Sequence, residues 1–139
     1  VFLLYEKIIV AEDEPEDNRS IVRVLREKGY NVTGVLNGED ALNLICDSEK
    51  GIDLLVTDIN MPKMSGDELI KKLGEGGYMF PVLVQSANFD RSTISRYGGG
   101  IYVLEKPYLI RRDLPGKVQQ IFMEYDYFFP APDSTVSVD

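Results

Sequence analysis

Short apolar runs alternate along this chain with longer stretches whose apolar residues recur at helical spacing. Residues 52–57 (IDLLVT) are mostly apolar and partly β-branched, and the run stops at Asp58, as in a strand buried on both faces that ends at a crevice. Pro62 and Gly66 then punctuate a tight loop, and Asp67 starts a helix with Leu69, Ile70 and Leu73 on its apolar face. The same alternation runs through the rest. Residues 7–11 (KIIVA) read as a buried strand; Pro15 fits the first turn of a helix carrying Ile21, Val24 and Leu25, which Gly29 stops. Residues 31–36 predict a second strand, and Asn37-Gly38 turns into a helix lined by Ala41, Leu42, Leu44 and Ile45. Residues 81–86 (PVLVQS) predict a fourth strand with Pro81 at its first position. A short polar helix over 90–97 has little apolar content beyond Ile94 and Tyr97. A fifth strand spans 101–104, and Asp113 caps a last helix with Leu114, Val118, Ile121, Phe122 and Tyr125 as its stripe and Pro115 in its first turn. Strands alternating with helices in this way imply an α/β fold, a parallel sheet wrapped on both faces and joined by right-handed crossovers.

Composition narrows the chemistry. At 139 residues the chain has room for one sizeable core. No apolar run approaches the ~20 residues that span a bilayer, and residues 1–4 lack the flanks of a signal peptide, so a soluble, cytoplasmic protein without a membrane partner is expected. The net charge of −8 argues against direct nucleic-acid binding. The absence of histidine excludes Ser-His-Asp and Cys-His sites and histidine-ligated zinc. Any nucleophile or base must therefore be a carboxylate, a lysine, a hydroxyl or the lone thiol of Cys46, which is expected to be an inert core or semi-buried group.

Four strand tips on one side of such a sheet carry Glu12-Asp13, Asp58, Ser86 and Lys106. Ligands bind an open α/β sheet beyond the carboxyl ends of its strands, so these residues stand where chemistry is done. Three converging carboxylates repel one another, and without a cation at least one must take up a proton. A hard divalent ion resolves this: magnesium favours a few carboxylate or carbonyl oxygens, and Asp13, Asp58 and a loop carbonyl near Asn60 make a suitable set. An ammonium and a hydroxyl beside the metal suit a phosphoryl group, with Lys106 neutralising charge, Ser86 donating a hydrogen bond and Asp58 placed as nucleophile. Singly, each feature has an ordinary reading as a helix cap, a local backbone bonder or a loop dipeptide; the specificity lies in their combination and order.

In that combination the sequence resembles the receiver domain of two-component response regulators, from about Lys7 to Tyr125. The family pattern is an acidic pair after the first strand, a phosphoacceptor Asp after the third, often followed by x-x-Met-Pro-x-Met-x-Gly, Thr or Ser after the fourth, and Lys-Pro after the fifth. Here these are Glu12-Asp13, Asp58-Ile-Asn-Met-Pro-Lys-Met-Ser-Gly66, Ser86-Ala87 and Lys106-Pro107. The resemblance implies a flavodoxin-like doubly wound sheet in the order 2-1-3-4-5 with five helices. It also implies a phosphorylation switch. Asp58 would accept a phosphoryl group from a sensor histidine kinase or histidine phosphotransfer protein, with Asp13, Asp58 and the Asn60 carbonyl on Mg2+ and Glu12 acting through water. Receivers tend to hydrolyse their own aspartyl phosphate, at a rate influenced by the positions of Asn60 and Asn88. Two departures stand out: Glu12 is often Asp in the family, and Val103 occupies a position that is usually aromatic.

A haloacid dehalogenase type of Mg-dependent hydrolase also uses an Asp nucleophile, but it needs a second Asp two residues on, where Asn60 cannot serve as general acid or base. A flavodoxin-like cofactor binder would place phosphate after the first strand, against the acids of 12–17. The expected organisation is an N-terminal extension over 1–6, the receiver domain over 7–125 and a disordered C-terminal tail or linker over 126–139. The aromatic run 125–129 either extends the last helix over the core or forms a docking edge for a partner. Val1 in place of Met suggests a fragment, so a downstream effector domain or a homodimer is a possible output.

Overall fold

The computed structural model describes residues 6–94 and 97–128. Five strands, β1 (Lys7–Ala11), β2 (Asn31–Val35), β3 (Leu54–Asp58), β4 (Val82–Ser86) and β5 (Ile101–Glu105), form one parallel sheet in the order β2-β1-β3-β4-β5. Four α-helices connect or follow them: α1 (Pro15–Glu27), α2 (Gly38–Asp47), α3 (Gly66–Glu75) and α4 (Ile110–Phe128). This is the expected flavodoxin-like topology.

Helix starts are set by the local chemistry that the sequence advertises. Asn37 Oδ1 accepts the Asp40 N–H at 2.8 Å and Ser65 Oγ accepts that of Glu68 at 3.2 Å, each satisfying a donor that the first turn leaves open. At α1, Glu14 is the cap and Pro15 follows with Glu16 and Asp17 in the positive first turn.

Because alternate strand residues face opposite sides, the core is two clusters separated by the sheet. Ile9, Ala11, Leu55 and Val84 pack with Ala41 and Ile45 of α2 and Leu69 and Leu73 of α3. On the other side, Ile8, Val10, Val56 and Leu83 meet Ile21 and Leu25 of α1 and Leu114, Val118 and Ile121 of α4. Of the apolar stripe expected of α4, Leu114, Val118 and Ile121 are buried and Phe122 packs against them, with a tilted ring contact to Tyr30 at 5.5 Å, while Tyr125 is half-buried outside this cluster.

Three details differ from the sequence reading. Between β4 and β5 the described residues hold a single 3-10 turn, Arg91–Ile94, where a helix over 90–97 was expected; residues 95 and 96 lie outside the described part. Asp90 favours a turn here: its carboxylate accepts both the N–H and the hydroxyl of Ser92, closing the chain locally, and Ser92, Thr93 and Ile94 are weak helix formers. Helix α4 starts at Ile110, before Asp113, whose carboxylate reaches back to the Leu109 N–H at 2.9 Å and caps from inside. Pro115 therefore lies beyond the first turn, and the N–H it lacks would have met a carbonyl at solvent-exposed Arg111. Cys46 is exposed: α2 buries Ala41 and Ile45, and one residue further turns the thiol about 100° away from the core. Nothing among residues 6–128 that are described is a helix long and apolar enough to cross a membrane. Of the extension expected over 1–6 only Glu6 is described, and the first three residues of the tail expected over 126–139 continue α4 to Phe128; the remainder of both lies outside the described residues.

Candidate phosphoacceptor and metal site

Strand register assembles the site. Ala11 pairs with Thr57 and Asp58 with Gln85, so Glu12, one step past β1, comes level with Asp58 at the tip of β3. Glu12 is 2% exposed and Asp58 6%, while Asp13 is exposed. Carboxylate oxygens of these three residues lie within 4.8 Å of one another. Lys106 closes the group, with its Nζ 2.7 Å from Asp58 Oδ1 and 3.6 Å from Glu12 Oε1. Lys106 is joined to Pro107 by a cis peptide, and its own N–H donates to the Ser86 carbonyl at 3.0 Å, which ties β5 to β4 at the site.

The loop after Asp58 folds back on it. The Gly66 N–H donates to the Ile59 carbonyl at 2.7 Å, and a Cβ at Gly66 would stand 2.1 Å from the Asp58 carbonyl oxygen. Only glycine allows this approach. Thr57 Oγ1 donates to the same carbonyl at 2.8 Å. The backbone carrying the acceptor is thus fixed from both sides.

Burial and crowding push the Glu12 carboxyl up to about 7; desolvation is the largest cause, and the hydrogen bond and charge of Asp58 add to it. A proton held near neutrality is the outcome that converging carboxylates impose when, among the described residues, Lys106 is the cation paired with them. Burial lowers the affinity of Lys106 for its proton, but the Asp58 hydrogen bond and the charges of Asp58 and Glu12 outweigh it, leaving its pKa above the ordinary value. The donor set is all hard oxygen and carries more negative charge than Lys106 offsets, as a divalent cation requires.

Of the expected site residues, Glu12, Asp13, Asp58 and Lys106 are brought together. Ser86 is half-buried at the end of β4, where its Oγ accepts the Asn88 N–H at 3.2 Å, and Asn60 is exposed in the loop after β3. Three further residues support the cluster without having been singled out in the sequence. Asn18 of α1 donates from Nδ2 to the Glu12 carbonyl at 3.0 Å and the Val35 carbonyl at 2.8 Å. Gln85 donates from Nε2 to Glu12 Oε1 at 2.9 Å, and its Oε1 accepts the Tyr108 hydroxyl. The available signal was a polar residue inside a run otherwise committed to the core, as Gln85 is in PVLVQS.

The family model described as the response regulator receiver domain matches residues 8–114. Among curated proteins, the Sensor protein EvgS of Escherichia coli K12 is 38% identical over 81 residues, covering 58% of this chain and 7% of that protein. The two-component response regulator ORR11 of Oryza sativa subsp. indica is 34% identical over 91 residues, covering 64% of this chain and 61% of that protein. The chain therefore spans less than two thirds of the length of either relative. The solved structure of the beryllofluoride-activated NtrC receiver domain is 27% identical, with a TM-score of 0.71 over 88% of this chain and 98% of that one. With the family pattern matched along most of its length and its acids and lysine gathered at the strand tips, this chain belongs to the response regulator receiver domains, the phosphoacceptor switches of two-component systems.

Proposed function

We propose that Asp58 is the phosphoacceptor, taking its phosphoryl group from a phosphohistidine of a sensor histidine kinase or histidine phosphotransfer protein. The observation that carries this is the pairing of a nearly buried strand-tip carboxylate with Lys106 at 2.7 Å inside an acidic cluster. An Asp58 carboxylate oxygen attacks phosphorus as the phosphorus–nitrogen bond of the donor breaks, the electron pair stays on that nitrogen, and the imidazole, already protonated on its other ring nitrogen, leaves neutral. Mg2+, when bound, neutralises charge on the phosphoryl oxygens. Asp13, Asp58 and the Asn60 carbonyl would hold it, with Glu12 acting through water. Lys106 passes from the Asp58 carboxylate to a phosphoryl oxygen, and Ser86 releases the Asn88 N–H to donate its own hydroxyl. Loss of the phosphate by hydrolysis is tuned by Asn60 and Asn88.

The face on which each β5 residue lies bears on how the signal leaves. Tyr102 pairs with Leu83 and packs in the α1/α4 cluster, whereas Val103 pairs with Val84, which faces α2 and α3. No ring on β5 follows Ser86 when it moves, so the change is read in the weakly structured segment that begins at Phe89, and from there by an effector domain or a second copy of the chain in the cytoplasm.

Intact-mass spectrometry tests the assignment. Acetyl phosphate or a phosphorylated partner should add one phosphate per chain, and none in EDTA or in Asp58→Asn. Normal labelling of Asp58→Asn would overturn the acceptor, and multiple turnover of a small phosphate ester would favour a hydrolase.

A further inference from the structure

The side of the site away from α2 and α3 holds a polar chain that phosphoryl transfer as described above does not use. Gln85 is 1% exposed on β4, in register with Asp58, and faces the α1/α4 side of the sheet with Leu83. Its amide nitrogen donates to Glu12 Oε1 at 2.9 Å and its amide oxygen accepts the Tyr108 hydroxyl. Oε1 of Glu12 accepts here, as Oε2 does from the Glu14 N–H, so the carboxylate selects the nitrogen end of the amide, and the oxygen end then needs a donor. Tyr108 is that donor. The order hydroxyl, amide, carboxylate therefore runs one way, and removing the hydroxyl leaves the amide oxygen without its donor and the amide less firmly held against Glu12.

Glu12 is otherwise held by the Glu14 N–H on Oε2 at 3.0 Å. Together the two donors pin both carboxylate oxygens. Gln85 takes the oxygen that stands 3.6 Å from Lys106, and so keeps Glu12 from closing on the lysine that pairs with Asp58. Pinned in this way, Glu12 stays with Asp13 and Asp58. The network borders a cleft of about 230 Å³ between α1 and the β5–α4 connection, with Asp17, Ile21 and Ile110 on its walls, so the space beside it does not by itself fix Glu12.

We propose that Gln85 and Tyr108 are positioning residues for the cation site: Gln85 orients Glu12 toward the metal, and Tyr108 orients Gln85. This rests on the Mg2+ site assigned under the proposed function. Partners that orient metal ligands typically matter by 10–100-fold in affinity, and Glu12, acting through water, belongs at the lower end.

Isothermal titration of the full, metal-free chain with Mg2+ alone tests it, beside a thermal melt in EDTA. Gln85→Met keeps the length of the side chain and removes the donor; it should raise the Mg2+ Kd about tenfold. Tyr108→Phe keeps the ring and should raise it about threefold, and the double variant should be no weaker than Gln85→Met alone, because Tyr108 acts through Gln85. A merely structural role would lower the melting temperature and leave the Kd unchanged, which overturns the proposal, as would additive effects in the double variant. If Gln85→Met does not fold, Tyr108→Phe decides: a weaker Kd supports the proposal and an unchanged one overturns it. Failure of the wild-type chain to bind Mg2+ would overturn the metal site itself and this inference with it, whereas wild-type binding with an unaffected Gln85→Met would overturn this inference alone.

Discussion

Replacing glycine by alanine should have opposite signs at two positions, and the difference follows from what each new methyl group would meet. At Gly66 the Cβ would lie 2.1 Å from the Asp58 carbonyl oxygen and 3.0 Å from both the Asp58 carbonyl carbon and the Ile59 Cα. All three are backbone atoms, so no side chain can rotate away, and the two segments must part by about 1 Å to reach ordinary contact. That shift also breaks the 2.7 Å bond from the Gly66 N–H to the Ile59 carbonyl. Overpacking costs about 1–3 kcal/mol and the hydrogen bond about 1 kcal/mol, giving roughly 2–4 kcal/mol and, for a domain of this size, a fall in Tm on the order of 10 °C. Gly116 sits inside α4 with nothing within 4 Å of a new Cβ. Alanine there gains up to about 1 kcal/mol of helix propensity and should raise Tm by a few degrees. Urea unfolding followed by circular dichroism measures both. Because the Gly66 shift moves the backbone of the acceptor itself, Gly66→Ala should also slow labelling by acetyl phosphate more than its stability loss accounts for. A Gly66→Ala protein as stable as wild type would show that the loop does not approach Asp58 as described, and a destabilised Gly116→Ala would show that this position of α4 does not face open space.

Other substitutions probe the charges and the supporting bonds. Lys106→Ala removes the cation that pairs with Asp58 and Glu12, so the metal-free protein should lose roughly 1–2 kcal/mol, while Mg2+ affinity holds or rises and the spectral response to beryllofluoride weakens; a sharp fall in Mg2+ affinity with a full response would refute the role given to Lys106. Asn18→Ala leaves the Glu12 carbonyl without this donor and takes one of two donors from the Val35 carbonyl, which keeps the Glu12 N–H at 3.1 Å, and should cost about 1–2 kcal/mol in urea unfolding; a loss under about 0.5 kcal/mol would mean that water replaces the amide. Burial pushes the phenols of Tyr97 and Tyr108 above their ordinary value of 10.0, helped at Tyr108 by the charges of Glu12 and Asp58. The folded state therefore keeps protons that the unfolded chain releases, so this contribution is intact below pH 10 and is lost as the pH rises above it. Tyr97→Phe should flatten that alkaline decline, and an unchanged slope would contradict it.

How far the sequence discloses this molecule depends on how much of each signal is local. The strands β1 and β3 are legible because a buried parallel strand needs an uninterrupted apolar run, and KIIVA and LLVT leave little else possible. The start of α4 was misplaced because Asp113 looks like a cap placed before a helix but serves from inside it, and the two geometries share one local sequence. The segment after Asp90 failed differently: its polar residues permit a helix, and nothing local reveals that one side chain will close the turn on Ser92. The site shows the same division. Glu12, Asp13, Asp58 and Lys106 are visible because each stands at the end of a strand, where an acid or a lysine after an apolar run is conspicuous. Gln85 carries no such mark, since what makes its amide meaningful is Glu12, 73 residues earlier, and Tyr108 beyond the next strand. One feature of it is nevertheless local. A glutamine inside PVLVQS loses water on folding, and a buried amide must find partners for both of its ends. On a strand that ends beside a carboxylate cluster, the nitrogen end has an acceptor at hand. The remaining requirement, a donor for the oxygen end, points to a hydroxyl from the next strand's exit, which is where Tyr108 lies.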